Sequence, residues 1–350
     1  MAYEIDYIPV GEGEKSGDAI TLRFGNLNGP REQQFVVVID GGFKESGELM
    51  VDHIKNYYGT DRVDLIVSTH PDADHASGLY VVLDKLNVGQ LAMHRPWEHA
   101  NDIKNFFKNG KITASGLEDR LEKSLQYASD LEALANKKNI PIVEPFQGIT
   151  GFNGAVQILG PSQEYYENLL AVFKSTPEPK GVFGVFAPVQ KVAEEVIKRI
   201  QDFWHIDLLN DNEDTTSGEN NTSTIILFTL DNHKLLFTGD AGKTALLNSI
   251  VYAESLGILL TDLVFLDVPH HGSKRNISSN VLKKIKAGTA FVSASKDSPK
   301  HPAKKVTNGL QKYGANVFVT RGVPLLHHNG GNGRGWGSAI AEPFHSIVEE

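Results

Sequence analysis

Residues 63–75, VDLIVSTHPDADH, constrain this chain more than any other stretch. An apolar run of this length, rich in β-branched residues, reads as a buried strand, and it stops at His70. Four potential ligands, His70, Asp72, Asp74 and His75, then fall within six residues. A loop at a strand's carboxyl end can point all four into one pocket, where they would converge on metal. The chain contains no cysteine, so disulfides, thiolate zinc sites and cysteine nucleophiles are excluded together. Metal must be held by His, Asp, Glu or Asn.

Two later apolar runs end in the same way. KLLFTGD closes on Gly239-Asp240, where a carboxylate can bridge two cations, and VFLDVPHHGS closes on His270-His271, followed by Gly272. Around these ends the chain alternates strands and helices. YEIDYIPV, DAITLRF and QQFVVVID predict a meander of three strands, the last ending in Asp40-Gly41-Gly42. SGELMVDHIKNYYG and SGLYVVLDKL read as helices flanking the VDLIVSTH strand, and ASGLEDRLEKSLQYASDLEALANKKN as one long helix. PVQKVAEEVIKRIQDFW has apolar residues at helical spacing, and DLLNDNEDTTSGENN reads as an acidic, partly disordered loop. The second half repeats the strand and helix order of the first. This predicts an α/β protein, an αββα sandwich of two mixed β-sheets with outer helices.

Composition narrows the function classes. At 350 residues with 40% apolar content the chain can bury a sizeable core. It has no apolar stretch near membrane-spanning length, and its first residues lack a signal-peptide profile, so a cytoplasmic location without membrane contact is expected. Net charge is −9, against a surface that clings everywhere to duplex nucleic acid. From His270 to Arg321, however, eleven Lys or Arg face one acid, a local balance of +10 that leaves −19 for the remainder. That segment is either a set of solvated faces or a basic rim for an anionic substrate.

HPDADH, TGD and VPHHGS, preceded by VVVIDGG, resemble the signature of the metallo-β-lactamase superfamily, and among its branches the hydrolase domain of ComEC-type DNA-uptake proteins. IPVGEGEKSGDAI is similar to that branch's Gly-rich first turn, ENNTSTIIL to its Asn-x-x-Ser strand start, and SASKDSPKHP to its late His-Pro loop. The resemblance implies that His70 and Asp72 help hold one metal, that Asp74 and His75 hold a second, and that Asp240 bridges. One of the histidine pair, with His271 favoured, would complete the second site and leave His270 to contact substrate. Asp40 would support the metal loop from behind by orienting a histidine. Asp72 stands where the superfamily more often has His, and Asn220 and Ser223 stand where it often has a third-strand His. Oxygen ligands there weaken the preference for zinc and admit manganese, so two divalent ions, zinc or manganese, are expected, the first of them labile.

The expected layout is a single hydrolase domain over 1–350 with an insertion at about 173–219, which would cover the pocket or bind a protein partner. The membrane segments that accompany this domain in DNA-uptake channels are absent, so DNA import is not its own expected activity. The expected reaction is hydrolysis by a metal-activated hydroxide, most readily a phosphodiesterase or nuclease acting on nucleic acid or a nucleotide. Asp74, His270, Lys274 and His301 are the expected catalytic residues, the last two for phosphate contact or leaving-group protonation. The alternatives are an acyl hydrolase on a thioester or lactone, and a metal-binding regulatory subunit without turnover. His94, His99, His205, His327 and His328 have no motif behind them and read as structural.

Overall fold

The computed structural model describes residues 1–180, 199–209, 211–212 and 214–349. In chain order, β1 (Ala2–Tyr7), β2 (Ala19–Gly25), β3 (Gln34–Gly41), β4 (Leu65–Ser68), β5 (Leu91–Met93) and β6 (Ile142–Val143) build the first sheet. The second takes β7 (Thr150–Gly151), β8 (Val156–Gly160), β9 (Ile225–Leu230), β10 (His233–Phe237), β11 (Leu263–Asp267), β12 (Ala287–Val292) and β13 (Asn316–Val319). β14 (Leu325–Asn329) then returns to the first sheet beside β1. The orders are β14-β1-β2-β3-β4-β5-β6 and β13-β12-β11-β10-β9-β8-β7. In each sheet three antiparallel pairings are followed by three parallel ones, beginning at β3 with β4 and at β10 with β11.

The parallel pairings place the site. Strands β3 and β4 run the same way, with the helix α1 (Lys44–Tyr57) as their crossover, so their carboxyl ends share one edge of the sheet. Strands β10 and β11 repeat this in the second sheet. Asp40, His70, Asp240 and His270 are thereby delivered to strand ends. The sandwich itself is held by both faces of these strands. Val37 and Ile39 of β3 enter the core between the sheets with Tyr7, Phe24, Phe228, Phe237, Phe265 and Phe291, while Val36 and Val38 pack beneath α1 and α2 (Ala73–Lys85). A strand buried on both faces cannot alternate polar with apolar residues, which is why this stretch reads VVVI.

Three sequence expectations change. The long helix predicted over 114–139 is two, Ala114–Ser124 and Gln126–Lys137, broken at Leu125, whose φ of −113° and ψ of 46° are not helical. Of the helix predicted over 188–204, residues 188–198 lie outside the described residues. Its tail is instead a short strand, Arg199–Gln201, paired antiparallel with Ile347–Glu349. The loop expected to be disordered caps a helix, because Asp214 accepts the backbone N–H of Thr244 at 2.8 Å in the first turn of Lys243–Ser255. No helix among the described residues is long and apolar enough to cross a membrane.

The outer face of β1 carries a second buried polar feature. Glu4 and Asp6 are fully buried, and Arg334, from the segment after β14, reaches both. Its guanidinium donates to Glu4 at 2.8 Å and to the two oxygens of Asp6 at 3.0 and 2.9 Å. Arg23 adds two bonds to Glu4, and Tyr58 one to Asp6.

Candidate metal centre

The motif HPDADH folds as a strand end followed by the first turn of α2. Asp72 is that helix's N-cap, yet its side chain makes no capping hydrogen bond and lies 3.8 Å from Nε2 of His70. An Asp at this position normally spends its carboxylate on the helix N–H groups, so one turned away is available to something else. Asp74 follows in the first helical turn, where a carboxylate is favoured by the helix dipole. One ligand atom each from Asp74, His75 and His271 lies within 4.8 Å of the others.

Asp240 stands at the centre. Its Oδ1 faces Nε2 of His75 at 3.5 Å and Nε2 of His271 at 3.8 Å. Its Oδ2 faces Nε2 of His70 at 3.8 Å and Nε2 of His270 at 3.6 Å. These separations are too long for hydrogen bonds. Two ligands held about 2.0–2.2 Å from one cation at a near-tetrahedral angle would lie about 3.3–3.6 Å apart, close to what is found. Among the described residues, His70 Nε2, His75 Nε2, His271 Nε2 and Asp240 Oδ1 are buried without a hydrogen-bond partner. Orphaned nitrogens converging on a shared carboxylate fit divalent cations, and the donor set fits either zinc or manganese.

The other nitrogen is hydrogen-bonded in three of the four rings, and in His271 it faces a carboxylate without a hydrogen bond. His75 Nδ1 donates to Asp40 at 2.8 Å, and Asp40 also accepts the N–H and hydroxyl of Thr69. His70 Nδ1 lies 3.1 Å from Thr69 Oγ1, His270 Nδ1 lies 3.0 Å from Asn276 Oδ1, and His271 Nδ1 faces Asp18 at 3.5 Å. Anchors of this kind set tautomer and ring orientation. The backbone is strained in support. Asp40, His270 and His271 have φ of 53°, 50° and 55°, in the left-handed region that non-glycine residues avoid.

Electrostatics separates the groups. Burial pushes the Asp240 carboxyl up to about 7 and, with neighbouring Asp74, pushes Asp72 up to about 6. Burial also holds the His70 ring well below its ordinary value and His270 down at about 3, so both are neutral imidazoles. For His271 burial works the same way, but Asp240 and Asp18 outweigh it and hold the ring up at about 9. This pocket gathers negative charge that a cation would neutralise.

The metallo-beta-lactamase superfamily profile matches residues 31–296. The chain belongs to the metallo-β-lactamase superfamily. Within it, Recombination protein 2 of Haemophilus influenzae is 30% identical over 117 residues, which is 33% of this chain and 14% of that protein. The chain thus spans a small part of that relative's length, and the match agrees with the ComEC-type resemblance. Among solved structures, the metallo-beta-lactamase fold protein YhfI from Bacillus subtilis covers 94% of this chain and 100% of its own, at 8% identity and a TM-score of 0.41. A diphosphatase from the PhnP family covers 94% and 98%, at 12% identity and a TM-score of 0.41.

The remaining expected residues of this superfamily member separate clearly. Asn220 donates to Asp240 Oδ2 at 3.0 Å and Ser223 accepts the N–H of Asp240 at 3.0 Å, so both hold the central carboxylate in place. The His301 ring stacks against His270 at 5.9 Å. That contact needs Gly272, where an added Cβ would come within 2.7 Å of Pro302. Burial, His271, Lys300 and Arg275 hold the His301 ring low, at about 4. Lys274 lies half-buried one residue beyond Ser273, and the cations whose charge reaches His301 are Lys300 and Arg275. Much of the basic segment turns elsewhere. Lys284 pairs with Glu254, Lys312 with Asp202, and Arg321 with Glu342.

Asp18 and Asn276 were not singled out from the sequence. Asp18 is brought between His75 and His271 because Gly17 has no Cβ, which would otherwise sit 2.3 Å from the Asp74 carbonyl. The only sequence signal is the Gly-rich turn itself, which names no residue. If Asp18 orients His271, Asp18→Asn should weaken cation binding about 10–100-fold with the circular dichroism spectrum unchanged. Calorimetric titration with Mn²⁺ checks this. Wild-type affinity would show that Asp18 serves only packing.

Proposed function

We propose that this protein is a two-cation phosphodiesterase acting on nucleic acid or a nucleotide. The observation that carries the reading is the division of Asp240, each of whose oxygens faces two imidazole nitrogens at 3.5–3.8 Å. In this reading His70 and Asp72 hold one divalent ion, Asp74, His75 and His271 hold the other, and Asp240 touches both. Two such ions supply the Lewis acidity that activates water and stabilises charge on an attacked phosphorus.

The chain's own groups do the rest. Asp40, Thr69 and Asn276 keep three of the rings turned toward Asp240, and Asp18 faces the fourth, which limits reorganisation when a substrate arrives. Lys300 and Arg275 put positive charge beside His301, which suits a phosphate better than a neutral ester. His301, neutral near pH 7, is placed to hydrogen-bond a phosphate oxygen, and Lys274 adds charge beyond the His270-His271 turn. The relation to a protein named for recombination favours a nucleic acid over a small metabolite.

The test is kcat/KM for bis-p-nitrophenyl phosphate, single-stranded DNA, a cyclic dinucleotide and a thioester across a salt series, with Mn²⁺ or Zn²⁺ added. Phosphodiesters should be cleaved, with rates that fall as salt rises, most steeply for DNA. Lys300→Ala combined with Arg275→Ala should raise KM for phosphodiesters about tenfold or more and leave the thioester unaffected. Best turnover of the thioester would replace the proposal with acyl hydrolysis. Bound metal with no hydrolysis of any ester would replace it with a regulatory role.

A further inference from the structure

We infer that His270 is a ligand of the cation on the Oδ2 side of Asp240, and does not contact substrate; the inference rests on the two-cation reading above. The two sides of Asp240 are unequal without it. The Oδ1 side has His75, His271 and Asp74 around it. The Oδ2 side has His70 and the partly exposed Asp72. Asn220, which also reaches Oδ2, cannot complete it, because its amide nitrogen donates to Asp240 and its oxygen accepts from Ser217 at 2.6 Å.

His270 fills that gap with its lone pair correctly turned. Asn276 donates through Nδ2 to the carbonyl oxygens of Asp240 and Ala241, at 3.0 and 3.2 Å, so its Oδ1 is the atom presented to His270. That oxygen can only accept, and at 3.0 Å it lies closer to Nδ1 than the Asn220 amide nitrogen at 3.5 Å, which puts the proton of the ring on Nδ1 and leaves Nε2 bare. The same logic holds across the site. Thr69 spends its hydroxyl proton on Asp40, so it accepts from His70 Nδ1 and leaves His70 Nε2 bare. Two bare nitrogens then point at one carboxylate oxygen, at 3.8 and 3.6 Å, an arrangement of lone pairs that repels unless a cation lies among them. The His270 side chain is 30% exposed, which leaves this cation its open face to solvent.

Mn²⁺ titration by calorimetry, with electron paramagnetic resonance of the loaded protein, decides the matter without reference to turnover. Wild type should take two ions with the spectrum of a coupled pair. His270→Ala should keep one ion at wild-type affinity, lose the second by at least about 100-fold, and show an uncoupled spectrum. Should that variant fail to fold, Asn276→Ala, which frees the ring, should weaken the second ion about 10–100-fold. Two ions at wild-type affinity in either variant overturn the inference while leaving the two-cation reading intact. A wild type that binds fewer than two ions overturns both.

Discussion

Replacing Asp240 with alanine is expected to abolish hydrolysis and to release both cations together. The two oxygens of Asp240 face opposite pairs of histidines. Removing it leaves the four Nε2 atoms without the shared anion that balances two divalent charges. Loss of a single group that stabilises transition-state charge already costs about 10²–10³ in kcat, so loss of both ions should exceed about 10³. Asp72→Ala is the control. Of the four imidazoles, the one paired with Asp72 is His70, so this variant should lose one ion and keep the Asp74, His75 and His271 site loaded. Asp72→His should shift preference toward zinc by adding a softer donor. Metal content by elemental analysis, with kcat on bis-p-nitrophenyl phosphate, reads all three. Equal metal loss in the Asp240 and Asp72 variants would contradict the bridging role.

Arg334→Ala is expected to destabilise the fold by about 3–5 kcal/mol, the range found when one partner of a buried ion network is removed. Arg334 is buried and bonds both Glu4 and Asp6, neither of which has any exposed surface. Arg23 would remain for Glu4, but Asp6 would keep only Tyr58 and His53. Burial by itself would push both carboxyls up. In Asp6 His53 and Arg334 outweigh it, and in Glu4 Arg334, the Asn332 N–H and Arg23 do, so both titrate below their ordinary values of 3.8 and 4.5. A carboxyl lowered by folding contributes stability above its unfolded value and loses it as pH falls through the folded one. The gap between wild type and variant should therefore be full at pH 7 and shrink below about pH 4. Urea denaturation at the two pH values measures it, and a gap under about 1 kcal/mol at pH 7 would show that Arg334 does not hold the network.

Local pattern was enough to read the αββα order and most of the His/Asp cluster around Asp240. Strand ends are written in short runs: apolar residues that stop at His70, at Asp240 and at His270 mark the polar groups that the structure gathers at one place, because such a group follows the strand that delivers it. The VVVI run declared a strand buried on both faces for the same local reason. The break at Leu125 and the short strand at Arg199–Gln201 were not legible, because helical spacing of apolar residues survives a one-residue kink and pairing with Ile347–Glu349 depends on chain more than a hundred residues away.

Which groups face which follows from packing across the whole fold. The basic segment counted as one block in sequence, but Lys284, Lys300, Lys312 and Arg321 find acids on other elements, while Arg275 and the Glu14-paired Lys300 still bring charge to His301. Asp18 joined the cluster because a loop distant in the chain closes on it, Asn276 because the turn after His271 folds back on His270, and Arg334 found Glu4 and Asp6 across some 330 residues. The chemistry of donors is a property of residue type and short spacing, so it is present in the sequence alone. The aim of a ring nitrogen is set by the partner of its other nitrogen, and that partner is chosen by packing.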